Sequence, residues 1–236
     1  MPARRNIKIK VCGVVSVADA RLVAEAGADY IGVIIDVAAS PRRLSVEQAR
    51  PICEQSTLPV VALFFNGSAR QIQRAVEVLH PYAVQLLGQE PASLVRTLKR
   101  TTNCEVWKTI HLPAQGQGEV DIAEYQDRVK SFVAAGIDAL VLDTVVASAP
   151  GELRYGGTGQ VNNWSIARRL VAAIPVPTFL AGGLNPQNVR PAIESVHPYG
   201  IDLCSGVELA PGRKDPEKLR RLVAAVRGAA SVKRAG

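Results

Sequence analysis

Eight short apolar runs punctuate the chain: Ile7–Cys12, Tyr30–Ile35, Val60–Phe65, Ala83–Leu87, Glu105–Ile110, Ala139–Leu142, Thr178–Ala181 and Ile201–Cys204. Each has the length of a strand, and several are apolar almost throughout, as expected of strands buried on both faces of a parallel sheet. Between them fall segments with helical spacing, Val17–Ala26, Ser45–Glu54, Ala69–Leu79, Ala92–Arg100, Ile122–Ala135, Trp164–Ala173, Pro186–Ser195 and Pro216–Arg227. Several open on Ser, Asn or Asp, whose side chains accept from the free amides of a first helical turn. A doubly wound open sheet uses the same alternating unit, but eight units in 236 residues fit a parallel (β/α)8 TIM barrel better. The stretch Cys12-Gly13-Val14-Val15-Ser16 also has one glycine, where a dinucleotide fold needs a cluster. The expected organisation is one domain over residues 1–236 with flexible ends at 1–6 and 228–236. The longest irregular stretches, Pro113–Gly118 and Val145–Gly159, are expected as mobile loops over a site.

Composition narrows the partners. With 47% hydrophobic and 21% charged residues the chain can bury one sizeable core. Its apolar runs are too short for a membrane span and no leader pattern is visible, so a cytoplasmic protein without a membrane partner is expected. The four cysteines lack paired metal-site spacing and the density of a disulfide scaffold, which predicts reduced thiols and no metal. A net charge of +7 favours anionic ligands, although Arg4-Arg5 and Lys233-Arg234 place part of the surplus at the ends. Aromatics make up only 5% and do not interleave with basic stretches, so no nucleic-acid partner is expected.

Candidate chemistry sits at strand ends. Cys12 and Asp143 each close an apolar run, where a barrel enzyme keeps its base and acid. The plain alternatives are a small buried thiol, the reading given to Cys53, Cys104 and Cys204, and a helix cap or ion-pair partner. Gly182-Gly183 and Ser205-Gly206 follow the seventh and eighth runs, where glycine lets backbone amides approach a phosphate. Gly156-Gly157-Thr158-Gly159 is equally a phosphate loop or a flexible turn. Asp202 is either a satisfied buried carboxylate or an acceptor for a sugar hydroxyl, and Arg42 either reaches the mouth or belongs to a charged loop. Lys108 faces the site or an internal partner. His80 and His197 precede prolines at helix ends, and His111 is read as the start of a loop.

Taken in order, Lys10-Val11-Cys12-Gly13, Ala26-Gly27-Ala28-Asp29, Ser40-Pro41-Arg42, Gln85-Leu86-Leu87-Gly88, Leu142-Asp143-Thr144, Gly156-Gly157-Thr158-Gly159, Ala181-Gly182-Gly183-Leu184-Asn185-Pro186-Gln187-Asn188-Val189 and Ser205-Gly206-Val207-Glu208 with Pro211-Gly212-Arg213-Lys214-Asp215 resemble the phosphoribosylanthranilate isomerase family of tryptophan biosynthesis. The resemblance spans Lys8 to about Arg227. It implies a barrel enzyme that needs neither cofactor nor metal and turns an aminoaldose phosphate into an aminoketose phosphate by an Amadori rearrangement; a monomer or homodimer is expected. It also implies Asp143 as general acid, Cys12 thiolate as base, Arg42 facing the anthranilate carboxylate, Asp202 holding a sugar hydroxyl, and Gly182, Gly183, Ser205 and Gly206 binding phosphate. The chain departs from the family pattern at Leu87, where a histidine is usual, at Asn163, and in the run Gly32-Val33-Ile34-Ile35-Asp36. Two other readings stay open: an isomerase for a different amino-sugar phosphate, and a non-catalytic sugar-phosphate-binding protein, against which the retained Cys12 and Asp143 argue.

Overall fold

A computed structural model describes residues 6–116, 121–149, 152–155 and 160–229. Eight strands, β1 (Lys8–Val11), β2 (Tyr30–Ile35), β3 (Val60–Phe64), β4 (Ala83–Leu86), β5 (Glu105–Pro113), β6 (Ala139–Ala149), β7 (Thr178–Leu180) and β8 (Gly200–Leu203), pair in parallel with their sequence neighbours. β8 then pairs with β1, Lys10 opposite Asp202 and Val11 opposite Leu203, which closes the sheet into a barrel. Helices α1 (Val17–Glu25), α2 (Val46–Gln55), α3 (Ala69–Leu79), α4 (Ala92–Thr101), α5 (Ile122–Ala134), α6 (Trp164–Ala173), α7 (Val189–Val196) and α8 (Pro216–Ala229) supply the crossovers. Ser16, Ser45, Ser68, Asp121 and Asn163 cap their helices through side-chain oxygens, and at α2 and α3 a glutamine completes a capping box. Among the described residues no helix is long and apolar enough to cross a membrane.

Strand alternation sorts the interior into two cores. Odd positions of β1 and β2, such as Ile9, Val11, Ile31 and Val33, pack outward against the helices. The opposite faces fill the lumen with Cys12, Ile34, Val61, Leu63, Trp107, Val141, Phe179 and Ala181. At the N-terminal end of the lumen Trp107 stacks on Phe179 with ring centroids 4.9 Å apart, and Tyr30 meets both rings edge-on at 5.4 and 5.9 Å. That end is plugged by rings. The polar lumen residues lie toward the C-terminal ends of the strands.

Most boundaries match expectation, with four corrections. β5 continues through His111 to Pro113, so His111 belongs to a strand, and Ala114 then bridges Asn162 while the Gln115 amide donates to the Val161 carbonyl. β6 runs on to Ala149 and pairs in antiparallel fashion with Glu152–Tyr155, so regular ladder occupies part of the stretch read as irregular. α7 starts at Val189 and not Pro186, because Asn185 Oδ1 accepts from the amides of Gln187 and Asn188 and holds a turn there. Cys204 lies just past the end of β8. The expected loose ends fall largely outside the described residues; within them, Asn6 Oδ1 accepts from Arg227 Nη1, and α8 runs through Gly228. Gly156-Gly157-Thr158-Gly159 lies outside the described residues.

Candidate active site

The C-terminal ends of the strands surround a cavity of about 830 Å³. Cys12, Arg42, Asp143, Gly182, Gly183, Asp202, Ser205 and Gly206 all line it, whereas Lys108 does not. Period two explains the convergence: Lys10 and Cys12 share the lumen face of β1, Asp202 and Cys204 that of β8, and Val141 and Asp143 that of β6.

Cys12 is buried at the end of β1, its amide donating to the Leu203 carbonyl at 2.7 Å and its carbonyl accepting from Lys214 Nζ at 2.6 Å. A hydrogen bond from the Cys204 thiol, helped by the charges of Lys10 and Lys214, pulls its pKa below the ordinary thiol value against the opposing effects of burial and Asp202. Asp143 faces the cavity from β6, and its Oδ1 accepts the Thr144 amide at 2.7 Å. Burial raises its carboxyl to about 6, with Asp202 adding to the rise and the Thr144 amide and Lys10 opposing it. One lumen therefore holds a thiol whose pKa is drawn down and a carboxyl whose pKa is drawn up, the directions that suit a base and an acid working together. Between them lies Asp202, ion-paired with Lys10 at 2.6 Å; its Oδ1 is buried and has no hydrogen-bond partner among the described residues.

Two loops form the rim over β7 and β8. Gly182 and Gly183 both have left-handed backbones, φ 84° and 59°, and a side chain on Gly182 would run into the Thr144 hydroxyl. Ser205–Val207 makes one 3₁₀ turn, and a side chain on Gly206 would collide with the Leu184 carbonyl. The loops interlock backbone to backbone, which leaves amides and the Ser205 hydroxyl as their available polar groups. Arg42 is held differently: its Nε donates to both oxygens of Glu208 at 2.9 and 3.1 Å and its Nη2 donates to Oε2. Lys214 Nζ reaches the same carboxylate at 2.8 Å, and the two cations hold Glu208 below the usual carboxylate range. Arg42 thus arrives at the mouth already committed on one edge, with Nη1 as its remaining nitrogen.

Sequence reasoning missed several lumen residues. Lys10 stands two positions before Cys12, and the strand period alone puts it on the same face. His111, four positions after Trp107, lines the cavity, and burial lowers its pKa to about 4. Gln85 donates to Thr109 at 3.0 Å and leaves Oε1 buried without a partner among the described residues. Glu208 and Lys214 were visible only as motif letters, and the Cys12–Cys204 contact needed the β1/β8 register. The three departures now separate: Leu87 and Ile34 line the cavity, whereas Asn163 caps α6 by accepting from the Ser165 and Ile166 amides.

Comparison with known proteins agrees with this geometry. The family described as N-(5'phosphoribosyl)anthranilate (PRA) isomerase matches residues 9–225. The N-(5'-phosphoribosyl)anthranilate isomerase of Methanocella arvoryzae is 37% identical over 225 residues, covering 93% of this chain and 98% of that protein. A dimeric phosphoribosylanthranilate isomerase from Thermotoga maritima, solved as monomers, superposes with a TM-score of 0.77 at 28% identity over 94% of this chain and 99% of its own. A phosphoribosylanthranilate isomerase solved with reduced 1-(o-carboxyphenylamino)-1-deoxyribulose 5-phosphate gives a TM-score of 0.75 at 28% identity with the same coverage. A matched family spanning nearly the whole barrel and relatives above 30% identity leave one assignment: the chain belongs to the N-(5'-phosphoribosyl)anthranilate isomerase family.

Proposed function

We propose that this protein isomerises N-(5-phosphoribosyl)anthranilate to 1-(2-carboxyphenylamino)-1-deoxyribulose 5-phosphate, without cofactor or metal. The observation that carries the reading is the opposed bias of Cys12 and Asp143 in one lumen. In this reading Asp143 protonates the ribose ring oxygen, the C1–O bond opens, and the nitrogen lone pair forms the iminium. Cys12 thiolate then removes the C2 proton, and the enolamine that results tautomerises to the ketone. Asp202 Oδ1, without a partner among the described residues, accepts a sugar hydroxyl, and Lys10 opposes the rise that burial gives that carboxyl's pKa. Gly182, Gly183, Ser205 and Gly206 give backbone and hydroxyl donors to the phosphate. Ile34, Leu63 and Leu87 offer an apolar wall to the aryl ring, and Arg42 Nη1 meets the anthranilate carboxylate.

The reading carries with it a single-domain cytoplasmic enzyme, monomer or homodimer, with no nucleic-acid or membrane partner. Purified protein given phosphoribosylanthranilate generated in situ should abolish its anthranilate-type fluorescence, and the gene should restore growth of a tryptophan auxotroph lacking this isomerase. Failure of both with a correctly folded protein rejects the substrate.

A further inference from the structure

The proposed base has a neighbour that the reaction leaves unused. β1 and β8 run side by side with Val11 opposite Leu203, so the next residues, Cys12 and Cys204, enter the same cavity from adjacent strands. The Cys204 thiol donates to Glu208 Oε1 at 4.0 Å, and the two thiols lie close enough for each to shift the other's pKa. Neighbouring strands lie about 4.8 Å apart, inside the roughly 4.4–6.8 Å separation of Cα atoms that a disulfide accepts. Glycines leave room beside both sulfurs: a side chain at Gly13 would meet Cys204 Sγ at 2.8 Å and one at Gly32 would meet Cys12 Sγ at 3.0 Å. Lys10 and Lys214 favour the thiolate at Cys12, against Asp202, while Cys204 is held toward its thiol, so the pair has one nucleophilic and one resolving partner. The cavity admits small solutes.

We propose that Cys12 and Cys204 are a peroxide-oxidisable dithiol that closes to a disulfide across the β1/β8 seam, a reversible modification site in the mouth of the barrel. Cys12 thiolate attacks one oxygen of hydrogen peroxide; the S–O bond forms, the O–O bond breaks, and the departing hydroxide takes a proton and leaves as water. Cys204, as it loses its proton, attacks Cys12 Sγ; the S–S bond forms, the S–O bond breaks, and a second water leaves. The two thiols are oxidised by two electrons, the peroxide is reduced to two waters, and an added dithiol reverses the link by exchange. That closure also stops isomerisation is a consequence resting on Cys12 as the base; the disulfide itself does not depend on it. Cys53 serves as an internal control, since burial pushes its thiol up to about 11.

The test treats purified protein with a small excess of hydrogen peroxide, blocks remaining thiols, maps the peptides by mass and follows turnover in parallel. The expected result is a linked pair of peptides carrying Cys12 and Cys204, loss of turnover in step with linkage, and recovery of both on adding dithiothreitol. Cys204→Ser, treated alike, should accumulate sulfinic acid on Cys12 and lose its own starting turnover without recovery. The proposal is overturned if wild-type Cys12 collects oxygen adducts with no link to Cys204, or if linkage involves Cys53 or Cys104 instead. A Cys12–Cys204 link with turnover intact supports the dithiol and removes Cys12 as the base.

Discussion

Lys108–Glu90 and Lys10–Asp202 are both buried lysine ion pairs, and they do opposite things with their capacity to bond. Lys108, on the outer face of β5, donates to Glu90 at 2.7 Å and to the carbonyls of Leu86 and Gly88, which occupies its three protons. Glu90 in turn accepts the amides of Asn66 and Gly88, so the pair ties the loops after β3 and β4 into a closed network. Among the described residues Lys10, inside the lumen, donates through its side chain only to Asp202, and Asp202 retains a buried oxygen without a partner. Burial wins at Lys108 and lowers its pKa. It also opposes the charge of Lys10, yet the carboxylate and thiols beside it leave that pKa above its ordinary value. A buried charge with every bond spent holds structure, and one with a bond to spare and a cavity in front of it is set up to hold a ligand.

The largest effects should come from the lumen set. Cys12→Ser and Asp143→Asn should each cut kcat by about 10²–10⁴-fold, the usual scale for a general acid or base. Binding of a reduced product analogue, measured by calorimetry, should stay near wild type; lost binding would assign these residues to structure. Asp143→Asn carries a further signature of opposite sign. The native carboxyl titrates near 6 against a reference of 3.8, so the folded state binds the proton longer and stability falls as pH rises between those values. The fall is roughly 3 kcal/mol at about 1.36 kcal/mol per unit. Urea titrations should find the variant more stable than wild type above pH 6, with the gap closing below pH 4. A constant gap would mean that the carboxyl is not strained by burial.

Next in size is the contrast between the pairs. Glu90→Gln strands a buried ammonium in the closed network and should lower unfolding free energy by about 3–5 kcal/mol, with kcat per folded molecule nearly unchanged. Asp202→Asn, facing a cavity that water can enter, should lose less stability and more kcat/KM. Equal losses in both assays would erase the distinction. The smallest effect is expected at Arg42. Because Lys214 still holds Glu208, Arg42→Ala should raise KM about tenfold and change kcat less, and an unchanged KM would remove the carboxylate assignment.

The sequence displays the strands because each is a short, largely apolar run, and it displays Cys12 and Asp143 because each stands at the end of such a run. It does not display register. Lys10 facing Asp202, and Cys12 facing Cys204, are pairings over 192 residues that exist only once β8 lies against β1. His111 escaped for a local reason, since its proline neighbour Pro113 reads as a loop while β6 supplies ladder bonds up to that residue. The α7 start escaped because an Asn185 side chain, and no break in apolar spacing, postpones the helix.

The aromatic plug gives the protein a built-in optical probe. Trp107 is one of only two tryptophans and is almost wholly buried, stacked on Phe179 with its indole N–H held by Glu105. It sits at the opposite end of the lumen from the mouth, clear of both thiols and the rim loops. Its emission therefore registers whether the barrel is closed, and a substitution that silences the mouth while leaving that spectrum unshifted has altered chemistry in an intact scaffold.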